Sequence, residues 1–340
     1  MRVLVTGASG FVMSVFIRAL LETDARAQVD AADLSTPDAL WWRHLDDVRD
    51  RVRTHRVDVR EAAAVRALTS SSAPDVVVHG ATVTHAPDLE RADPTRFVDV
   101  NVMGTAHVLD AARQVDSVGR CILISSGAVY GAGTPDGRDP QPESTSTRPD
   151  ETYGITKLVG ELIAARFTDL YGLPVPILRF SKVFGPMERP TGARTAMSVP
   201  FHLAGATVAG RAVRITTRSC DASGDWISAC DVAAGLVALC RTGAPPSGPI
   251  SLAAGRRIPV PELLRAFGTE VVWADSGAQL DLDPALRNGK DGSYAVHRAR
   301  SELGWAPRPL EDQVSEYLAW ARRSPEVFAA SERPAGVPQT

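Results

Sequence analysis

Residues 4–14 read LVTGASGFVMS. A short apolar run enters Thr6-Gly7, passes Gly10 and reaches Met13 at the spacing of a third glycine. A glycine-rich turn between a strand and a helix turns backbone N–H groups and the positive helix end toward a phosphate. The first glycine makes the tight turn, the second lets the backbone approach a pyrophosphate, and the third lets helix and strand pack closely. Gly7 and Gly10 suit the first two tasks. Met13 falls on the third, where a flexible thioether is accommodated by a small outward shift of the helix. On that reading, Met13→Gly tightens dinucleotide binding or leaves it unchanged. The loop alone does not separate a dinucleotide site from an ordinary strand-to-helix turn, so the rest of the chain decides.

Outward from the loop, apolar runs alternate with helical patterns. Strands are expected at RVLVTG, AQVDAAD, THRVDVR, PDVVVHGA, RCILISS and LPVPILRF. Long helices are expected at PTRFVDVNVMGTAHVLDAARQV and DETYGITKLVGELIAARFTDLYG. Continuous apolar strands separated by helices predict a parallel sheet covered on both faces. Right-handed crossovers make this α/β chain a doubly wound, Rossmann-type fold. After Phe180 proline and glycine become frequent, strands shorten, and Arg189, Arg194, Arg211, Arg214 and Arg218 cluster. The expected division is a dinucleotide-binding domain at 1–180, with 225–250 returning to it. A smaller C-terminal α/β substrate domain takes 181–224 and 251–324, and a tail at 325–340 frays.

With 340 residues and 44% hydrophobic content, the chain can bury a large core. A formal charge of -3 gives no reason to expect nucleic acid or an anionic membrane as partner. Cys121, Cys220, Cys230 and Cys240 form no metal-ligand pattern and read as reduced thiols, so no metal is expected. No signal peptide and no membrane-spanning run is visible, and the expected setting is the cytoplasm.

Asp33 ends the second strand, where a carboxylate accepts both adenosine ribose hydroxyls and repels the extra phosphate of NADP. The alternative is an aspartate capping the next turn. Asp58, in VDVRE, is similarly placed for the adenine amino group. The strongest chemical signal is Tyr153-Gly-Ile-Thr-Lys157, two residues four apart on one helix face. A tyrosine of pKa about 10 is a poor base at neutral pH. A lysine ammonium one turn away is expected to favour the phenolate, so that the pair exchanges a proton with a secondary alcohol or ketone. A surface helix pair is the alternative. Ser125 and Ser126 end the fifth strand, and a serine there can hydrogen-bond a reacting oxygen. His85 follows the fourth strand, on the loop expected to overhang the nicotinamide; it reads as a substrate contact or as a plain loop histidine.

Taken in order, TGASGF, DLS, VDVRE, HGA, NVMGT, SSGAVYG, YGITKLVGE, LRFSKVFGP, GDWISACDV and RARSELGWAP resemble the extended short-chain dehydrogenase/reductases of the nucleotide-sugar epimerase/dehydratase family. The resemblance runs from residue 3 to about residue 320. It implies a catalytic group of Ser126, Tyr153 and Lys157, with Ser126 also touching substrate. It implies an NAD site formed by Gly7, Gly10, Phe11, Val12, Asp33, Asp58, Val59, Ala81, Asn101, Tyr153 and Lys157, with Asn101 supporting the active site from its helix. It also implies a homodimer formed through the two long helices. Met13 departs from the family glycine.

The family's dehydratases carry an Asp-Glu pair just after the catalytic serine, and its decarboxylases a Ser-Glu pair. Here those positions are Gly127 and Ala128, which transfer no protons. Plain hydride chemistry at a carbinol remains. The family's RxxN motif reads Arg179-Phe-Ser-Lys182, and its Arg-Asp-Trp/Phe motif reads Gly224-Asp225-Trp226. Lys182, Arg189 and Arg194 are the candidate cations for a substrate anion, each with a solvated surface role as the alternative; Arg287 and Arg298 fall near a C-terminal phosphate contact. The leading expectation is an NAD-dependent epimerase of a sugar nucleotide. Beside it stand an NAD-dependent dehydrogenase of a smaller anionic polyol or sugar acid, and an NAD-sensing protein without catalysis.

Overall fold

A computed structural model describes residues 1–134, 136–191, 194, 196–274, 281–282 and 292–329. Six strands enter the main sheet from the first half of the chain: β1 (Arg2–Thr6), β2 (Gln28–Asp33), β3 (Val52–Arg56), β4 (Val76–His79), β5 (Arg120–Ser126) and β6 (Ile177–Phe180). Smaller pairs follow from β7 (Lys182–Phe184), β8 (Val213–Thr216), β9 (Ser223–Gly224), β10 (Trp226–Ser228), β12 (Ile258–Pro259) and β13 (Val271–Ala274). β11 (Pro249–Leu252) returns to the main sheet beside β6. The sheet order is β11-β6-β5-β4-β1-β2-β3, and every pairing in it is parallel. Order reverses on either side of β1, which opens a crevice over the carboxyl ends of β1 and β4. All four residues of β4 are buried, as an unbroken apolar run at the centre of a two-faced sheet requires.

The helix Phe11–Thr23 turns Met13, Phe16, Ile17 and Leu20 inward and packs against Ala229–Arg241. The expected fourth-to-fifth connection is helical, but a π-helical turn at Val98–Met103 interrupts it and carries Asn101 inward. Several expectations need correction. The third strand ends at Arg56, so Asp58 stands beyond it. Trp226–Ser228 pairs with β7, not with the main sheet, because β7 leaves the main sheet one residue after β6 and offers a new parallel partner. The returning strand is PISL, a four-residue run inside a Pro/Gly-rich stretch that gives no periodic signal. The tail does not fray at once: Glu326–Ala329 is helical, and Phe328 packs 4.9 Å from the Phe201 ring. Residues 330–340 and Arg287 lie outside the described residues. Among the described residues, no helix is long and apolar enough to cross a membrane, and no cluster of His, Cys, Asp or Glu is suited to a metal.

Candidate active site

A cavity of about 660 Å³ lies over the crevice. Its floor is the glycine loop. Gly7 has φ +68°, and a Cβ there would lie 2.7 Å from the Ala81 nitrogen and 2.8 Å from the Gly80 carbonyl carbon. Gly10 N–H donates to the Gly7 carbonyl at 3.0 Å. No side chain caps the helix that starts at Phe11, and its first turn holds no acid, so nothing within the helix competes for a phosphate. From below, the buried Trp41 indole donates to the Ala8 carbonyl at 3.1 Å. Beside the loop, Asp33 accepts from Ser9 N–H at 3.0 Å and Ser35 N–H at 3.3 Å. Asp58 also lines the cavity, but Arg60 grips its carboxylate and holds it below the usual carboxylate range. This cradle fits a dinucleotide: the tight approach at Gly7 and the uncapped helix end are what a pyrophosphate needs.

At the other end stand Ser126, Tyr153 and Lys157, all lining the same cavity. Ser126 closes β5, and its hydroxyl accepts from Ala128 N–H at 3.1 Å. Tyr153 lies in the first turn of the helix Thr152–Tyr171 and shares a hydrogen bond with Ser126. Lys157, one turn on, donates to the Ile124 carbonyl at 3.0 Å, with Nζ 5.7 Å from the Tyr153 ring centroid. The electrostatics correct the sequence expectation. Burial pushes the Tyr153 hydroxyl up to about 12, against opposing pulls from the Ser126 hydrogen bond and Arg194. Burial also pulls Lys157 down to about 8, against the charge of Glu161. Lys157 is thus held at the strand end, not at the phenol oxygen, and does not by itself make the phenol basic.

Asn101 does not line the cavity. Its amide is spent on the loop behind it: Oδ1 accepts from Val83 N–H (2.8 Å) and Thr82 Oγ1 (3.0 Å), and Nδ2 donates to Val83 O (3.1 Å) and Thr156 Oγ1 (3.1 Å). His85 also lies outside the lining; it pairs through Nδ1 with Glu151 at 2.7 Å, at the N-cap of the helix Thr152–Tyr171. Lys182, Arg189 and Arg194 do line the cavity. Arg189 donates to Asp38 (3.0 Å) and the Ser9 carbonyl (3.4 Å), which places it beside the glycine loop. Arg194 donates to the buried Glu188 at 2.5 Å and lies 5.3 Å from the Phe11 ring. Arg298 spends its guanidinium on Glu302 and the carbonyls of Pro249 and Ser247.

The sequence reads His79 as packed at the end of its strand, and the structure buries it there, but the hydrogen-bond partners of two supporting networks escaped that reading. In the first, the buried His79 bridges Thr6 (2.7 Å) and Thr105 (3.0 Å), tying β1 and β4 together under the loop. Burial lowers its pKa to about 3, and the Lys157 charge adds to the fall. His79 therefore folds neutral, while the unfolded chain protonates it below about 6.5. The folded-state value is depressed, so stability is lost as pH falls through that window. The expected result is a smaller drop in Tm between pH 7 and pH 5 for His79→Gln than for wild type; equal drops would exclude His79 as the source. In the second network, Glu161 accepts from Ser125 (2.5 Å) and from Arg179 (2.9 and 2.6 Å), and Arg179 reaches Tyr130 Oη at 2.7 Å. The signal was available: Glu161 stands four residues after Lys157 on the same helix.

Fold and cavity together define a dinucleotide-dependent enzyme of the Rossmann type. Residues 3–252 match the NAD dependent epimerase/dehydratase family, and the chain belongs to that family of NAD-dependent enzymes. It is 30% identical to a dTDP-glucose 4,6-dehydratase of Streptomyces antibioticus, over 99% of this chain and 97% of the relative. It is also 30% identical to a UDP-glucose 4-epimerase of Mycolicibacterium smegmatis, over 91% and 94%. In fold it resembles the UDP-glucose 4-epimerase of Thermotoga maritima, with a TM-score of 0.78, 22% identity, and coverage of 95% and 99%.

Proposed function

We propose that the protein uses NAD to oxidise and re-reduce a secondary carbinol of a sugar nucleotide, inverting it without loss of water or carbon dioxide. One observation carries this reading. Position 127, directly after Ser126, is glycine, and a Cβ there would lie 2.4 Å from the Tyr294 hydroxyl. Tyr294 in turn stacks on Tyr130, with centroids 5.4 Å apart. Together with Ala128, this leaves no acid beside the serine for the proton transfers that elimination needs.

In this mechanism Ser126 hydrogen-bonds the reacting oxygen and Tyr153 exchanges its proton. Gly7, Gly10, Phe11, Val12, Val59 and Ala81 shape the cofactor site, and Asp33 accepts from the adenosine ribose. Lys157 holds the nicotinamide ribose, and Asn101 keeps the 81–84 loop in place from behind. When bound, NAD would supply the hydride acceptor and a positive charge in the cavity that Tyr153 lines. For the oxidation half Tyr153 would have to enter as the phenolate, taking the carbinol proton as the hydride leaves and returning it to the ketone oxygen when the hydride comes back. The Ser126 hydrogen bond and the positive charge of the bound cofactor favour that ionised form against burial. Asp33→Ala is expected to weaken NAD by roughly tenfold, the worth of a charge-assisted hydrogen bond, and to weaken NADP less. Dissociation constants for both cofactors check this, and an unchanged NAD/NADP ratio contradicts it.

A second reading, a dehydrogenase of a smaller anionic polyol or sugar acid, draws support from the substrate end. A Cβ at Gly224 would lie 2.9 Å from the Trp226 ring, so the tryptophan fills the space of a longer side chain there. Lys182, opposite Trp226 in register, holds Nζ 5.8 Å from that ring's centroid and offers a point charge instead. The exposed Val98, Met103, Ile155 and Leu162, on the two helices that pack beside each other, support a homodimer.

The deciding experiment mixes NAD-loaded protein with UDP-glucose, UDP-glucuronic acid, dTDP-glucose and a panel of sugar acids. The leading reading expects epimeric product of unchanged mass and no net NADH. Stoichiometric NADH from a sugar acid supports the second reading. A dehydrated product, or NAD binding without any turnover, overturns both.

A further inference from the structure

We propose that Met13 and Gly80 form one cofactor-positioning unit, in which the small residue required beneath the phosphate loop has moved from the helix to the end of β4. Gly80 immediately follows β4, and both residues line the cavity. A Cβ on Gly80 would lie 2.6 Å from both Cγ and Sδ of Met13, and 3.2 Å from the Thr6 carbonyl. The thioether therefore lies in the space that any side chain at 80 would take. Met13 is only 4% exposed and packed within the main core.

The surroundings make the arrangement consequential for the cofactor. Gly7 presses on the backbone of Gly80 and Ala81, and Gly80 N–H donates to Thr6 O at 3.1 Å. Ala81 N–H reaches Thr6 Oγ1 at 3.3 Å, and that hydroxyl also bonds His79. The loop and the end of β4 are thus held backbone to backbone, and the Met13 thioether packs against Gly80 beside them. A methyl at position 80 displaces the thioether, and its open direction is the cavity it already lines. Removing the thioether leaves a void under the loop, and close-packed surroundings do not fill such a void without moving. Either change moves the surface against which the dinucleotide phosphates rest. The chain has not lost the third glycine's function; it satisfies it from the opposite wall.

The test is a four-member cycle of wild type, Met13→Gly, Gly80→Ala and the double variant. NAD dissociation constants are measured on protein stripped of cofactor, with Tm recorded without NAD. In place of the tightening or indifference that the loop spacing suggests for Met13→Gly, each single change is expected to weaken NAD by roughly tenfold, and the double to recover most of that loss, as contacting pairs couple. A purely structural role would move Tm in parallel with affinity; a positioning role moves affinity beyond the change in Tm. Should Gly80→Ala alone not fold, rescue of folding and NAD binding by added Met13→Gly is the expected sign of coupling. NAD binding by Met13→Gly as tight as wild type, or a double variant whose losses simply add, overturns the proposal. The readout needs no substrate, so it is independent of which carbinol the enzyme works on.

Discussion

Tyr153→Phe is expected to remove nearly all turnover and leave NAD binding intact. General acid–base catalysis typically contributes about 10²–10⁴-fold, and the loss should fall in that range. The variant keeps the ring and deletes one oxygen, the one that shares a hydrogen bond with Ser126. Lys157 stays on the Ile124 carbonyl, and the glycine loop and Asp33 are far along the cavity, so the cofactor keeps its own contacts. Calorimetry for NAD and steady-state rates on whichever substrate the wild type turns over check the two halves. Turnover close to wild type would remove Tyr153 from the chemistry. Lost NAD binding would mean that the phenol holds cofactor instead of moving protons.

Glu161→Leu is expected to destabilise the protein by about 3–5 kcal/mol, the usual cost of stranding one partner of a buried ion pair. Arg179 and Glu161 are each 6% exposed, so neither finds water when the other is gone. Replacing both, as Glu161→Leu with Arg179→Met, is expected to recover much of the loss, because the uncompensated charge disappears. Denaturant midpoints measure this, and a single variant as stable as wild type contradicts it. The same substitution removes the anion that opposes the desolvation of Lys157. The lysine pKa then falls further below about 8, and the alkaline limb of the pH–rate profile moves to lower pH. A network that served packing alone would leave that limb in place.

The sheet was legible because its strands are buried on both faces and read as unbroken apolar runs, as VVVH does at the centre. The short strand β11 was not, since four residues opening on proline carry no period. Ser126, Tyr153 and Lys157 were legible as a spaced set, and the structure brings them to one cavity with Gly7, Gly10 and Asp33. What spacing hides is direction. It did not reveal that Asn101 faces backward into a loop, that His85 turns to Glu151, or that Arg189 reaches the glycine loop. Nor does spacing reveal burial, which reverses the expected shift of the Tyr153 hydroxyl. Met13 looked like a defect in one segment because its proposed compensation, Gly80, sits 67 residues away, just past the end of β4.

The most direct test of hydride exchange at a carbinol, without elimination, is mass analysis with deuterium at the reacting carbon of a turned-over sugar nucleotide. The account predicts an epimer of the same mass that still carries the deuterium at that carbon. A product lighter by one molecule of water, or one whose deuterium has moved to the carbon that lost its hydroxyl, contradicts it.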